Sequence, residues 1–484
     1  MAESKLEHKV AKGVAWSFSE KLLSMVVQMV VSIVVARQLA PADFGVMAIM
    51  TFFTSVALAI VDSGFSQTLI RKTNPTEEEY HSVLIFNIVV SLILYGILTA
   101  AAYPIASLYD SPEIWTIAPV LFLVLPINSL CVVQTVMYTR EFRFALLSKI
   151  VFLASLISGV VAVVMAVMGC GIWSLVAQRL LMMGIKAIAF WSIRRWRTSA
   201  RFSFAVIKAM APFSLRLLAT DLIASIYNNV AQLFIGKMNT STLGYYAQAQ
   251  KLKDLPVTST VQAVQGVTFP ALSKIKEDSA KFAEGYLRIE RLLGFILFPV
   301  MLGFVAIAPD MFMLLLGEKW MPTVPYFEIL ALSGLCYPLA IVSYNVLKTK
   351  SDGRVIVRLE IVKRMIMTAV LCYTIPQSVE AIAWGMLAMA AVEFLLNTGA
   401  AMRYMKTTFG ALLRSIAPSF TIAAIMFGAL HYLTPHIDSL NIALRLTTTI
   451  AAGGALYLLL TWIFRLRALR ECVALLRGML TKSA

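Results

Sequence analysis

Charge is scarce in this chain. Only 14% of its 484 residues are charged, and acids are the scarcer sign, with 26 Asp+Glu against 42 Lys+Arg. Soluble domains usually carry about 25% charged and 45–50% apolar residues. A 59% apolar composition with a mean hydropathy of +0.80 therefore excludes a chain that hides its oil in soluble cores. No long stretch has an ordinary soluble composition, which excludes a single anchor on a soluble enzyme. Five Cys (Cys131, Cys170, Cys336, Cys372, Cys472) are odd in number and far apart, and four His (His8, His81, His431, His436) are scattered. Neither a disulfide framework nor a metal site is expected. There is no Walker A glycine loop and no soluble nucleotide domain, so no cofactor is expected and ATP is excluded as the energy source. The charged start, Met1 to Lys12, runs into an apolar segment without a small-residue cleavage pattern, and reads as a retained first helix rather than a signal peptide.

What is there in quantity is long apolar runs. Roughly 20 apolar residues cross a bilayer as helix, which places spans near 13–36, 45–69, 82–107, 115–138, 150–168, 171–192, 211–236, 244–270, 292–316, 326–347, 365–375, 379–402, 411–433 and 442–464. The fold class expected is an all-α polytopic membrane protein of about 14 transmembrane helices. The eleventh run is too short as it stands, so that helix is expected to begin within Arg354–Lys363. The eighth carries Lys251, Lys253 and Asp254 and fails on hydropathy alone, but loop charge restores it. With the N-terminus inside, 32 of the 42 basic residues lie in or at the edge of inner segments, seven lie within spans, and only Arg37, Lys237 and Lys319 lie outside. Removing the eighth span would move every later basic loop outside, against the positive-inside rule. Both termini are thus expected in the cytoplasm, and the +16 net charge reads as topology rather than as a nucleic-acid surface.

A short internal repeat organises the spans. Phe18-Ser19-Glu20-Lys21-Leu22-Leu23 aligns with Phe213-Ser214-Leu215-Arg216-Leu217-Leu218, and Asp43-Phe44-Gly45 aligns with Thr242-Leu243-Gly244. Six helices separate the copies, so both have the same orientation, as in halves related by an axis along the membrane normal. The expected organisation is an N-terminal bundle at 1–201 (spans 1–6), a C-terminal bundle at 202–403 (spans 7–12), and spans 13–14 with a basic cytoplasmic tail at 404–484. The architecture is two six-helix bundles related by a parallel pseudo-two-fold, plus two C-terminal helices.

Charges inside spans point to function. Lys21, Arg179, Arg216, Lys251 and Lys253 would together cost on the order of 12–17 kcal/mol if they met lipid, so they are expected to face water, counter-charges or an anionic ligand. Pairing is the plainer alternative: Glu20 beside Lys21, Asp221 near Arg216, and Asp254 at i+3 from Lys251. Span 8 also carries Gln248, Gln250, Thr258, Ser259, Gln262 and Gln265, the composition of a wetted wall, and Pro256 in its middle is expected to kink it. A cationic chamber at the bundle interface fits a phosphate or diphosphate, which Arg grips with a fork and Lys as a point charge. Candidate acids for coupling to an ion gradient are Asp62, Asp221 and Glu393, each of which also fits a structural partner of a neighbouring cation.

Four segments carry a resemblance. Ala36–Ile49 (ARQLAPADFGVMAI), Leu243–Pro256 (LGYYAQAQKLKDLP), Phe269–Ile275 (FPALSKI) and Leu315–Trp320 (LLGEKW) resemble the polysaccharide transporter family of bacterial flippases, within the multidrug/oligosaccharidyl-lipid/polysaccharide exporter superfamily. The resemblance covers nearly the whole chain. It implies flipping of an undecaprenyl-diphosphate-linked oligosaccharide across the bacterial inner membrane for lipopolysaccharide, capsule or exopolysaccharide synthesis, with H⁺ or Na⁺ as the coupling ion. It also implies Lys21 and Arg216 as the first-span and seventh-span basic positions for the lipid diphosphate. The partners expected are the polyprenyl-diphosphate-linked oligosaccharide, membrane lipids, and glycan polymerase or glycosyltransferase enzymes at the basic inner loops. The alternative is an ion-coupled antiporter of drugs or other small molecules in the same superfamily, whose cavity should be acidic. An enzyme is disfavoured, because the outer loops are short and no His/Asp/Glu constellation is present.

Overall fold

The computed structural model describes residues 23–474 except 24, 63, 194–195, 197–199, 275–276 and 352. Lys21 therefore lies outside the described residues. Among those described the chain is helical, with no strand, and eleven helices are long and apolar enough to cross a membrane. Three further helices occupy the other expected positions: α1 (Met25–Gln38), which is short, and the polar α11 (Thr240–Lys274) and α14 (Arg354–Thr374). The protein is an all-α, multi-pass membrane protein. Helix α14 begins at Arg354, within the window expected, and α11 continues as helix through Pro256.

The chain packs as two compact units, Met1–Ala247 and Gln248–Ala484. This division lies later than the repeat boundary at 201/202, because α10 (Phe204–Met238) packs along α2 (Pro41–Asp62) in the N-terminal unit. The repeat describes copies of sequence and the units describe packing, so the two need not coincide.

The N-terminal unit continues with α3 (Phe65–Arg71), α4 (Glu77–Ala100), α5 (Ala102–Leu108), α6 (Glu113–Leu121), α7 (Val124–Arg140), α8 (Phe144–Val167) and α9 (Trp173–Ile193). Helix α8 shows how the apolar composition is used. Its buried face is small, with Ser155, Ser158, Gly159, Ala162 and Ala166, while Leu153, Ile157, Val160 and Val164 stand exposed. Small residues let helices approach closely where hydrophobicity gives no preference for protein over lipid, and the large apolar side chains face outward. Arg140 donates to the carbonyls of Leu69 at 2.8 Å and Thr73 at 2.7 Å, and to that of Lys72, closing the orphan end of α3. Arg140, counted from sequence among the residues expected to set orientation, is thus a helix cap.

A close crossing in this unit joins the starts of α2 and α11. A Cβ at Gly45 would overlap the Thr240 carbonyl, and a Cβ at Gly244 would overlap the Pro41 carbonyl. Positions 45 and 244, and 41 and 240, are related by one offset, so the contact is reciprocal, as a local two-fold axis requires.

The C-terminal unit contains α12 (Ser279–Leu315), α13 (Val324–Lys350), α14, α15 (Val379–Met402), α16 (Phe409–Leu433) and α17 (Ile442–Ile463). Helix α13 packs along α15, and α12 packs on α13, α16 and α17 around Phe282, Tyr286, Phe298, Met301, Val342, Leu412 and Tyr457. At the far end of α12 and α17, Arg445 bonds both Asp310 and Asp438.

Candidate functional site

A break in a helix builds the polar site of the N-terminal unit. Helix α2 ends at Asp62 and α3 starts at Phe65, with Gly64 between them at φ 67°. That dihedral suits glycine, and so does the space, because a Cβ there would stand 2.6 Å from the Ser214 carbonyl on α10. Thr68 and Ser214 share a hydroxyl contact of 2.9 Å that holds the broken segment on α10. The break leaves the Asp62 carboxyl at the mouth of a 270 Å³ cavity, lined also by Gln67, Asn128, Lys186 and Asp221. Asn128 hydrogen-bonds Asp62, and Lys186 and Asp221 lie within electrostatic reach of it. Two of the three coupling acids expected from sequence therefore meet in one cavity, with one ammonium group between them.

Lys186 was not singled out from the sequence, although a signal was there. It follows Arg179 by two helical turns, which puts both on one face of α9. Arg179 is exposed and its guanidinium approaches the Thr51 hydroxyl at 3.5 Å. Arg216, on α10, is exposed and makes no ion pair among the described residues. The expected pairing with Asp221 does not form, because Asp221 faces the Asp62 cavity instead.

The polar site of the C-terminal unit is closed by pairing. Lys363 on α14 is only 7% exposed, and its ammonium group bonds Glu360 and, at 3.3 Å, Glu393 on α15. It also stands 5.4 Å from the centre of the Tyr344 ring. Tyr337 on α13 lies within electrostatic reach of Glu393, Asp254, Arg364 and Glu360, so the acid on α11 faces the same polar region. On α11 itself Lys253 pairs with Asp254 at 2.7 Å. The structure thus places Arg179 and Arg216 in the N-terminal unit and Lys251 and Lys253 in the C-terminal one.

Sequence reasoning also missed Glu290. It falls outside the expected span because the apolar run of α12 starts at Leu292, yet the helix begins at Ser279. Phe282, Tyr286, Glu290 and Leu293 follow the helical spacing of one buried face, which was the available signal. Glu290 is fully buried, and among the described residues neither carboxyl oxygen has a close hydrogen-bond partner, the Tyr286 hydroxyl lying within electrostatic reach of it. The neighbouring Tyr286 hydroxyl is engaged at 2.9 Å with Ser343, which in turn contacts Thr398 at 2.9 Å.

Comparison with known proteins agrees with this architecture. The family model described as "Polysaccharide biosynthesis protein" matches residues 34–325. The teichuronic acid biosynthesis protein TuaB of Bacillus subtilis is 25% identical over 464 residues, covering 93% of this chain and 95% of that one. The succinoglycan biosynthesis transport protein ExoT of Rhizobium meliloti is 24% identical over 484 residues, covering 98% and 97%. Among solved structures, the lipid II flippase MurJ in an inward closed conformation matches with a TM-score of 0.73 at 14% identity, over 94% of this chain and 99% of that one. The last likeness shows the fold.

Proposed function

Because the chain belongs to the polysaccharide biosynthesis protein family, we propose that it is a flippase for a polyprenyl-diphosphate-linked oligosaccharide, acting across the bacterial inner membrane by alternating access. Both termini lie in the cytoplasm in this reading, as the loop charges require. The basic side chains Lys21, Arg179, Arg216, Lys251 and Lys253 serve the cargo diphosphate, and Asp62 and Asp221 are the acids through which an ion gradient would be coupled; Glu393, the third acid expected from sequence, is held by Lys363 instead. The relatives' printed names, teichuronic acid biosynthesis and succinoglycan biosynthesis transport, support the cargo class.

The observation that carries the reading is Arg216. A guanidinium group within a long membrane helix is costly unless it meets water or an anion, and this one has no ion pair among the described residues. Replacing Arg216 by Ala, at unchanged membrane abundance, should reduce surface polysaccharide strongly; undiminished polysaccharide would remove Arg216 from the site. The direct measurement is transbilayer movement of a labelled lipid-diphosphate sugar in proteoliposomes.

One observation favours a second reading, an ion-coupled antiporter of small cationic molecules. The Asp62 cavity holds two carboxyl groups to one ammonium group, the acidic balance that a cationic cargo would need. Drug resistance in cells overproducing the protein, without any effect on surface polysaccharide, would decide for it.

A further inference from the structure

Where α12, α16 and α17 reach one end of the C-terminal unit, a second cavity of about 400 Å³ opens, separate from the groups discussed above. Arg291, Arg414, Arg465 and Arg467 all line it. The ordinary account of basic residues at helix ends is orientation, which requires only that they face water. These four converge on one cavity instead, and like charges gathered in that way repel unless an anion joins them.

Two further features show that the cavity is built. Arg291 is 19% exposed and held on both sides, its Nε donating to the Ser415 hydroxyl at 3.0 Å and its Nη1 to Glu471 at 2.5 Å. Glu471 is the acid of the group, and Arg288, at 3.8 Å, draws on it as well. The other feature is backbone strain. Helix α17 closes with the Leu466 amide donating to the Thr461 carbonyl and the Arg465 amide donating to that of Trp462, the Schellman pattern. The left-handed position in that pattern normally takes glycine, but here it is Arg465, at φ 49°. A non-glycine residue pays about 1–2 kcal/mol for that conformation, as Asp110 and Phe142 also do at the ends of α5 and α7; at Arg465 it sets the guanidinium on the cavity wall.

We propose that this cavity is a binding site for a phosphate-bearing anion, distinct from the cargo site. Guanidinium forks match the oxygens of a phosphate group. Leu287, Pro418 and Phe464 add apolar wall beside them. The apolar run of α12 begins one residue after Arg291, and α17 ends two residues before Arg465, so the cavity sits where the bilayer gives way to water. Two sources supply that chemistry there, the headgroup of an anionic phospholipid and free phosphate, and basic pockets between helices at this depth suit the former.

The test uses the full-length protein in detergent with phosphatidylglycerol, phosphatidylcholine or inorganic phosphate, read by native mass spectrometry and thermal unfolding. Wild-type protein should retain phosphatidylglycerol over phosphatidylcholine by about tenfold. The informative variant is Arg465→Gly, which relieves the strained dihedral: it should be at least as stable as wild type without lipid, yet gain less from phosphatidylglycerol. A purely structural role for Arg465 would not give that split. Arg414→Ala/Arg467→Ala should lose the preference altogether, while Arg403→Ala, outside the cavity, should keep it. Displacement of the lipid by millimolar phosphate would make the source soluble phosphate; resistance to displacement would make it the lipid headgroup. Equal retention of the two lipids, or unchanged retention in Arg465→Gly and the double variant, would overturn the site.

Discussion

In the N-terminal unit, Asp62 and Asp221 share an open cavity with the single ammonium group of Lys186. In the C-terminal unit, by contrast, the ammonium group of Lys363 is almost wholly buried and held by both Glu360 and Glu393. Each site has two carboxyl groups and one ammonium group, and the arrangement decides what each can do. A carboxyl group that takes up and releases an ion needs access to water and an incomplete set of partners, which Asp62 has. A carboxyl group clamped to a buried cation is committed to holding helices together, because breaking such a pair strands a charge. Of the three acids singled out from sequence, the geometry therefore favours Asp62 and Asp221 for exchange and gives Glu393 a structural task.

The contrast can be broken at four positions. The largest effect is expected at Asp62: Asp62→Asn should lower gradient-driven transport in proteoliposomes by about tenfold or more, as loss of a positioned proton-carrying group does, with little change in unfolding temperature. Glu393→Gln should do the reverse, and transport loss in Glu393→Gln with full activity in Asp62→Asn would invert the comparison. Next comes Lys363→Met, which leaves Glu393 without its cation while Glu360 keeps Arg364 at 3.6 Å, and should cost about 3 kcal/mol in equilibrium unfolding. Adding Glu393→Met should recover part of that loss, a coupling that a double-mutant cycle reads directly. The smallest effect is expected at Glu290. A buried ionised carboxylate without a partner costs several kcal/mol, so a neutral isostere should serve nearly as well, and Glu290→Gln should change unfolding stability by less than about 1 kcal/mol. A larger loss would mean that Glu290 is charged and paired.

Much of the helix plan was legible because it rests on two strong signals, apolar length and loop charge. Helix α15 begins and ends where its apolar run does, at Val379 and Met402. The positive-inside count pointed to 244–270, and a helix, α11, stands there, although it is not apolar enough by itself to mark a membrane crossing. What stayed hidden depends on direction rather than composition. Whether Asp221 turns toward Arg216 or toward Asp62 is set by the rotation of α10 against its neighbours, and a charged residue in an apolar run looks the same either way. Glu290 was missed because helices extend past the apolar run that reveals them. The break at Gly64 was equally invisible, since one glycine within a long run is usually tolerated.

The reciprocal crossing at Gly45 and Gly244 reaches furthest. Contacts in which one residue meets the counterpart of its partner, and the counterpart returns the contact, are the form taken by the interface of a symmetric homodimer. Here both sides belong to one chain, so a contact of that form is intramolecular. Neither copy can then drift alone. A side chain gained at Gly45 collides with the backbone beside Gly244, and one gained at Gly244 collides with the backbone beside Gly45. At this crossing neither of the two matching glycines has room for a side chain.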